Sequence, residues 1–199
     1  MLRQPFVPVA PMQPPVIWIE DYDTSGFDFR RSWKKPPYLS DEEYGRCMEA
    51  FPRVCSDVLA VEPQSKRFYL TKRIHHSAIG RWNFGGAQRR GQTPVEAAIA
   101  NLHRETGIRL APDELSFLFH TEMYWKRRNP EPKGFGEQCR VLTFCFVPTR
   151  EEIDQIKLDP GEYDIFHGVM LYTREEIERI PESTHELLLM FYDAAFGSK

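Results

Sequence analysis

From residue 53 onward the chain runs through short apolar stretches closed by turn residues, and this pattern predicts strands near 53–62, 67–73, 80–84, 115–124 and 139–147, with another over about 166–172. The period changes between 94 and 106. There Ala97, Ala98, Ile99, Ala100 and Leu102 are good helix formers with one apolar stripe. Thr93, Pro94 and Glu96 supply an N-cap hydroxyl, a first-position proline and a carboxylate three residues on, and Gly107 suits a left-handed C-terminal residue. The same capping spacing starts helices at Ser40 (with Glu43, running to Phe51), at Thr149 (with Glu152) and at Thr173 (with Glu176), and a final apolar helix is expected over 182–195. Periodicity alone therefore specifies an α+β protein.

On the 94–106 helix, Asn101, Arg104 and Glu105 fall three and four apart on a face distinct from the Ile99/Leu102 stripe. This polar face is expected to lie over the Gly85-Gly86 loop.

From Gly86 to Ile108 the spacing resembles, without a gap, the Nudix box, G-x5-E-x7-R-E-U-x-E-E-x-G-U with U bulky and aliphatic. Gly86, Leu102, Glu105, Gly107 and Ile108 fit it. Gln92, Ala100, Asn101 and Arg104 stand where the box has Glu, Arg, Glu and Glu, so only one of its four acids, Glu105, remains. The proline that commonly precedes the two glycines is Phe84. Pro52–Arg73 resembles the first hairpin of Nudix domains, and Cys139–Thr149 a later central strand. Within the superfamily, the Asp-Glu-Glu-Tyr helix, the Pro-Arg-Val strand and a late acidic loop are most like GDP-mannose mannosyl hydrolases.

The resemblance implies an α/β/α sandwich with a mixed sheet over 39–199, preceded by an extended arm over 1–38. It implies a hydrolase of a nucleoside diphosphate linked to another moiety, a nucleotide sugar favoured, with Mg2+ or Mn2+ as cofactor. Glu105 and the Gly86 (or Gly85) carbonyl would be metal ligands, and Glu162 the third, with Glu137 or Asp164 as alternatives. Arg104 joins Glu105 in the catalytic set, while Arg81, Gly85, Gly86 and Arg89 would hold the substrate. Trp125 is read either as a base-stacking residue or as ordinary packing. Magnesium is usually held by one or two carboxylates plus phosphate oxygens and water, so a minimal site is conceivable, whereas chemistry with several ions is hard to support with Gln92 and Asn101 in place. The second reading is a catalytically silent Nudix-fold module that binds or fills a structural place.

Composition narrows the partners. A net charge of −3 and a pI near 6.1 give no global basic field for nucleic acid. The one local patch, Lys126-Arg127-Arg128 beside Tyr124 and Trp125, reads as a solvated hairpin tip, with phosphate or base contact the alternative. Arg127–Gly136 reads as a surface turn or, because it is long, a lid. The six histidines lack zinc spacing, with His75, His76 and His167 as possible phosphate or base groups. Cys55, Cys139 and Cys145 fall in apolar strand patterns and are expected as reduced core thiols. No apolar run reaches the ~18 residues of a membrane span, and no secretory signal pattern starts the chain, so a soluble cytoplasmic protein is expected. Seven prolines lie among the aromatics of residues 1–38, and that arm is expected to pack on its own domain or to make a homodimer contact.

Overall fold

The computed structural model describes residues 39–75, 77–181 and 184–197. The arm over 1–38, and any dimer contact through it, lies outside these residues, as does His76.

The elements run α1 (Asp41–Ala50), β1 (Arg53–Glu62), β2 (Arg67–Arg73), β3 (Gly80–Trp82), β4 (Phe84–Ala87), α2 (Pro94–Thr106), β5 (Ser116–Trp125), β6 (Glu137–Phe146), α3 (Arg150–Asp154), β7 (Met170–Tyr172), α4 (Arg174–Glu178) and α5 (His185–Phe196). The capping boxes expected at Ser40, Thr93, Thr149 and Thr173 all form, and Gly107 takes the left-handed conformation (φ 81°) that ends α2.

Two strands differ from expectation. The segment near 80–84 splits at buried Asn83, because the chain changes partner there: β3 pairs with β2, and β4 with β1. The strand expected over 166–172 shrinks to β7. Asp164 explains this, since its carboxylate accepts the N–H groups of Phe166 and His167 and closes a turn where extended chain was expected.

The sheet runs β3-β2-β1-β6-β5, with β4 beside β1 and β7 beside β2. β1 and β6 are parallel from Arg53↔Cys139 to Ala60↔Phe146, whereas the remaining pairings are antiparallel, so the sheet is mixed. Both faces of β1 are buried, as a central strand requires. Val58 and Ala60 pack with Phe84, Ala98, Leu102, Phe144 and Phe146 under α2. Cys55, Leu59 and Val61 face the other way, into a core with Phe68, Trp82, Ile177, Leu188 and Phe191 under α4 and α5. Asp57 has the parity of this second face. Helices on both faces of a mixed sheet make the α/β/α sandwich.

The basic patch needs correction. Lys126 and Arg127 are exposed, but the Arg128 side chain is only 1% exposed. Its guanidinium donates to the carbonyls of Pro130, Glu131 and Gly136 and pairs with Glu49 of α1 at 3.0 Å. The 126–136 loop is thus wrapped around a cation and fastened to α1. Gly45 makes room for it: a Cβ there would sit 1.7 Å from the Glu131 carbonyl oxygen. Gly45→Ala is therefore expected to cost more than about 2 kcal/mol in urea unfolding, against the gain of up to about 1 kcal/mol that Ala brings to an open helical site. A stabilised Gly45→Ala protein would show that the loop does not rest on α1.

Candidate functional site

The site begins where β1 meets the glycine strand. Asp57 lies opposite Gly85, and Ser56 opposite Gly86. Asp57 is buried, and its carboxylate occupies the space a side chain at Gly85 would take: a Cβ there would meet Asp57 Oδ1 at 2.1 Å. Glycine is required at 85 by this approach.

Helix α2 covers the strand with the expected polar face, which is mostly buried. Glu105 Oε2 accepts the Gly85 N–H at 2.9 Å, and Oε1 accepts from Arg104 Nη2 at 2.9 Å. Arg104 also donates to Asn101 Oδ1 at 2.6 Å and to the Gly85 carbonyl at 3.4 Å. Asn101 Nδ2 donates to the Gly86 carbonyl at 2.9 Å and reaches those of Ser56 and Ala87 at 3.5 Å.

Two buried acids thus share one place. Burial, and then the charge of Glu105, push the Asp57 carboxyl up to about 7, with Arg73, Asn83 and Arg53 opposing. Burial also raises Glu105, against the Gly85 N–H, Arg73 and Arg104. The late acidic loop closes one side. Ile74 N–H donates to the Glu162 carbonyl and Asp164 N–H to that of Lys72, which docks the loop on the end of β2. Arg73 faces Glu162 at 3.9 Å, with its guanidinium carbon 5.9 Å from the centre of the Tyr163 ring. The buried Tyr163 hydroxyl lies near enough to Glu105 to lower that carboxyl, yet it makes no hydrogen bond of normal geometry.

Asp57, Arg73, Gly85, Gly86, Arg104, Glu105 and Glu162 line a cleft of about 300 Å³, together with Tyr44, Arg53, Trp82, Trp125, Glu137 and Cys139. Of the candidate site residues singled out from sequence, Gly85, Gly86, Arg104, Glu105, Trp125, Glu137 and Glu162 meet in this cleft. Arg81 and Arg89 do not line it. Arg81 Nε donates to the Tyr172 hydroxyl on β7, whereas Arg89 is exposed, its N–H taken by Gln92. His167 also meets Tyr172, at 2.9 Å, and His75 is bound to Asn129. Asp57, Arg53 and Arg73 escaped the sequence reading. Arg53 and Asp57 sit in an otherwise ordinary strand, and the only signal was an acid within a run of buried apolar residues.

Among the described residues, no three His, Cys, Asp or Glu side chains gather to hold a metal ion. The Gly86 carbonyl is engaged by Asn101, Glu162 faces Arg73, Glu137 pairs with Arg53, and Asp164 pairs with Lys72. Asp57 and Glu105 both meet Gly85 in this cleft and offer hard oxygen donors, although the oxygens of Glu105 are already held by the Gly85 N–H and by Arg104, which an ion would have to displace. That donor set fits one magnesium-like ion completed by phosphate oxygens and water, and does not fit a cluster of ions.

No family model matches the sequence, and no curated protein matches it. Solved structures do. A MutT NUDIX hydrolase from Burkholderia pseudomallei aligns with a TM-score of 0.52 at 16% identity, over 70% of this chain and 97% of that one. A NUDIX hydrolase from Nitrosomonas europaea aligns with a TM-score of 0.51 at 14% identity, over 73% and 93%. This chain has the Nudix fold, with the glycine strand and α2 forming one wall of its cleft.

Proposed function

We propose that this chain is a Nudix-type hydrolase of a nucleoside diphosphate linked to another moiety, with nucleotide sugars preferred and one divalent cation, magnesium or manganese, required. The observation that carries this reading is the buried Asp57–Glu105 carboxyl pair, set in a cleft with Arg53, Arg73 and Arg104. Two acids buried together oppose folding, so a module that only fills space has no use for them. When bound, the cation neutralises diphosphate charge and polarises the bond to be broken.

The protein's own groups do the rest. The Gly85 N–H fixes the Glu105 carboxylate in place. Arg73 and Arg104 balance phosphate oxygens, as guanidinium forks do well, and so take over part of the charge work of the absent box acids. Attack at the sugar carbon suits such a site. Water oxygen bonds to that carbon, and the carbon–oxygen bond breaks with its electron pair leaving on the diphosphate. The water's proton passes to the carboxyl pair. The departing group is already a stable anion, and arginines can receive its charge.

The test is chromatography of nucleotide sugars, ADP-ribose, dinucleoside polyphosphates and nucleoside triphosphates incubated with the protein, with magnesium, with manganese and with chelator. Metal-dependent release of a nucleoside diphosphate and free sugar is expected. A nucleoside monophosphate and sugar phosphate would place the attack at phosphorus instead. Glu105→Gln is expected to lower turnover at least ~100-fold while its stability stays within about 1 kcal/mol of the parent.

A specific observation favours a second reading, the silent module: Arg104 already fills one oxygen of Glu105, and the Asn101 amide stands at an acidic position of the box. No turnover on any compound would leave that reading in place.

A further inference from the structure

Arg53 and Glu137 form an ion pair that is only half used. They lie 84 positions apart in sequence on neighbouring parallel strands, β1 and β6, on the side of β1 away from the glycine strand. Arg53 Nη2 donates to Glu137 Oε1 at 2.8 Å and to Cys139 Sγ at 3.5 Å. The Glu137 side chain is 1% exposed, yet its Oε2 has no partner among the described residues, and neither does Arg53 Nε. Cys139 lies close enough to influence the Glu137 carboxyl but makes no hydrogen bond of normal geometry to Oε2.

An unpaired buried donor and an unpaired buried acceptor each oppose folding, and native structures rarely leave such groups without a reason. Both residues line the cleft. The complement they ask for is specific. A phosphate oxygen suits the arginine but is repelled by the carboxylate. A hydroxyl suits both: once the part-exposed Arg53 side chain turns toward the cleft and opens the now enclosed Nε and Oε2, its oxygen accepts from Nε–H and its O–H donates to Oε2. Met123, Val141 and Trp125 line the same cleft and offer apolar surface to the C–H faces of a ring.

Resting on the hydrolase reading above, the structure assigns Arg53 and Glu137 to the moiety beyond the diphosphate, a hexose with a hydroxyl between Arg53 Nε and Glu137 Oε2. The pair determines which sugar is accepted, while the arginines beside the glycine strand hold the phosphates.

The test is calorimetry in chelator, where turnover is suspended. UDP- and GDP-linked glucose, galactose and mannose are compared with UDP and GDP. The parent is expected to bind at least one nucleotide hexose tenfold or more tighter than the matching diphosphate. Glu137→Gln removes the charged acceptor, and Arg53→Lys keeps the ion pair while deleting Nε–H. Each is expected to erase most of the hexose advantage and to leave diphosphate affinity within twofold, which also shows that the variants are folded. A parent that binds nucleotide hexoses no tighter than diphosphates overturns the assignment. So does an equal loss on both ligand types, or a loss that follows the nucleobase at constant hexose. Failure of the hydrolase reading looks different: the chromatographic panel shows no turnover while the hexose-dependent calorimetry stands.

Discussion

Asp57→Asn is expected to be more stable than the parent at pH 8, by roughly 2–4 kcal/mol in urea titrations, and to lose turnover at least ~100-fold. The Asp57 carboxyl sits at about 7 in the folded protein against a model value of 3.8. Its folded state thus holds the proton more tightly than the unfolded chain. The associated stability is fully present below the unfolded value near 4, declines as pH rises, and is gone above the folded value near 7. One pKa unit corresponds to about 1.4 kcal/mol, which bounds the loss at roughly 4 kcal/mol. Glu105 shifts in the same direction, and the opposing Arg53 and Arg73 are already included in the balance. At pH 4 the advantage of Asp57→Asn should therefore nearly vanish. Magnesium added at pH 8 should raise the parent's stability toward that of the variant, because an ion that binds only the folded form stabilises it by mass action. A difference independent of pH would show that Asp57 is not a buried charge in the folded protein.

Gly85→Ala is expected to be among the most damaging single substitutions, costing more than about 3 kcal/mol or preventing folding. The added Cβ would lie 2.1 Å from Asp57 Oδ1, 2.6 Å from its Cγ and 2.7 Å from its Cα. A carboxylate can rotate away, but the Cα belongs to β1, the central strand of the sheet. The double change Gly85→Ala with Asp57→Ala should therefore not recover. Gly134→Ala provides the control, since a Cβ there meets nothing within 4 Å, and it should stay within about 0.5 kcal/mol of the parent. Urea titrations of the three proteins decide. Rescue by Asp57→Ala would mean that the side chain, and not the strand backbone, sets the requirement.

How much could be read from sequence follows from the range of each interaction. The helices were legible because their starts are local: Ser40 with Glu43 and Thr93 with Glu96 settle their hydrogen bonds within four residues. Glu105 was legible because its partners lie in the adjoining glycine strand and on its own helix. Asp57 was not, since an acid in a strand takes its meaning from Gly85, 28 positions away and joined to it by β pairing. Arg53 and Glu137 are separated further still, and nothing near either residue announces the other. Arg128 shows the reverse error: next to Lys126 and Arg127 it looks like part of a surface patch, but the loop that follows supplies three carbonyls and turns it inward.

The Asn101 amide limits what this position can hold. One NH2 group joins α2 to carbonyls of β1 and β4, at Ser56, Gly86 and Ala87. A carboxylate in its place would face those same oxygens without a proton to offer. Asn101→Glu alone would therefore set like partial charges against one another. Glutamate fits there only after the backbone beneath it has moved. The position works as a lock: one amide ties helix to sheet, and an acid placed there needs a different strand geometry beneath it.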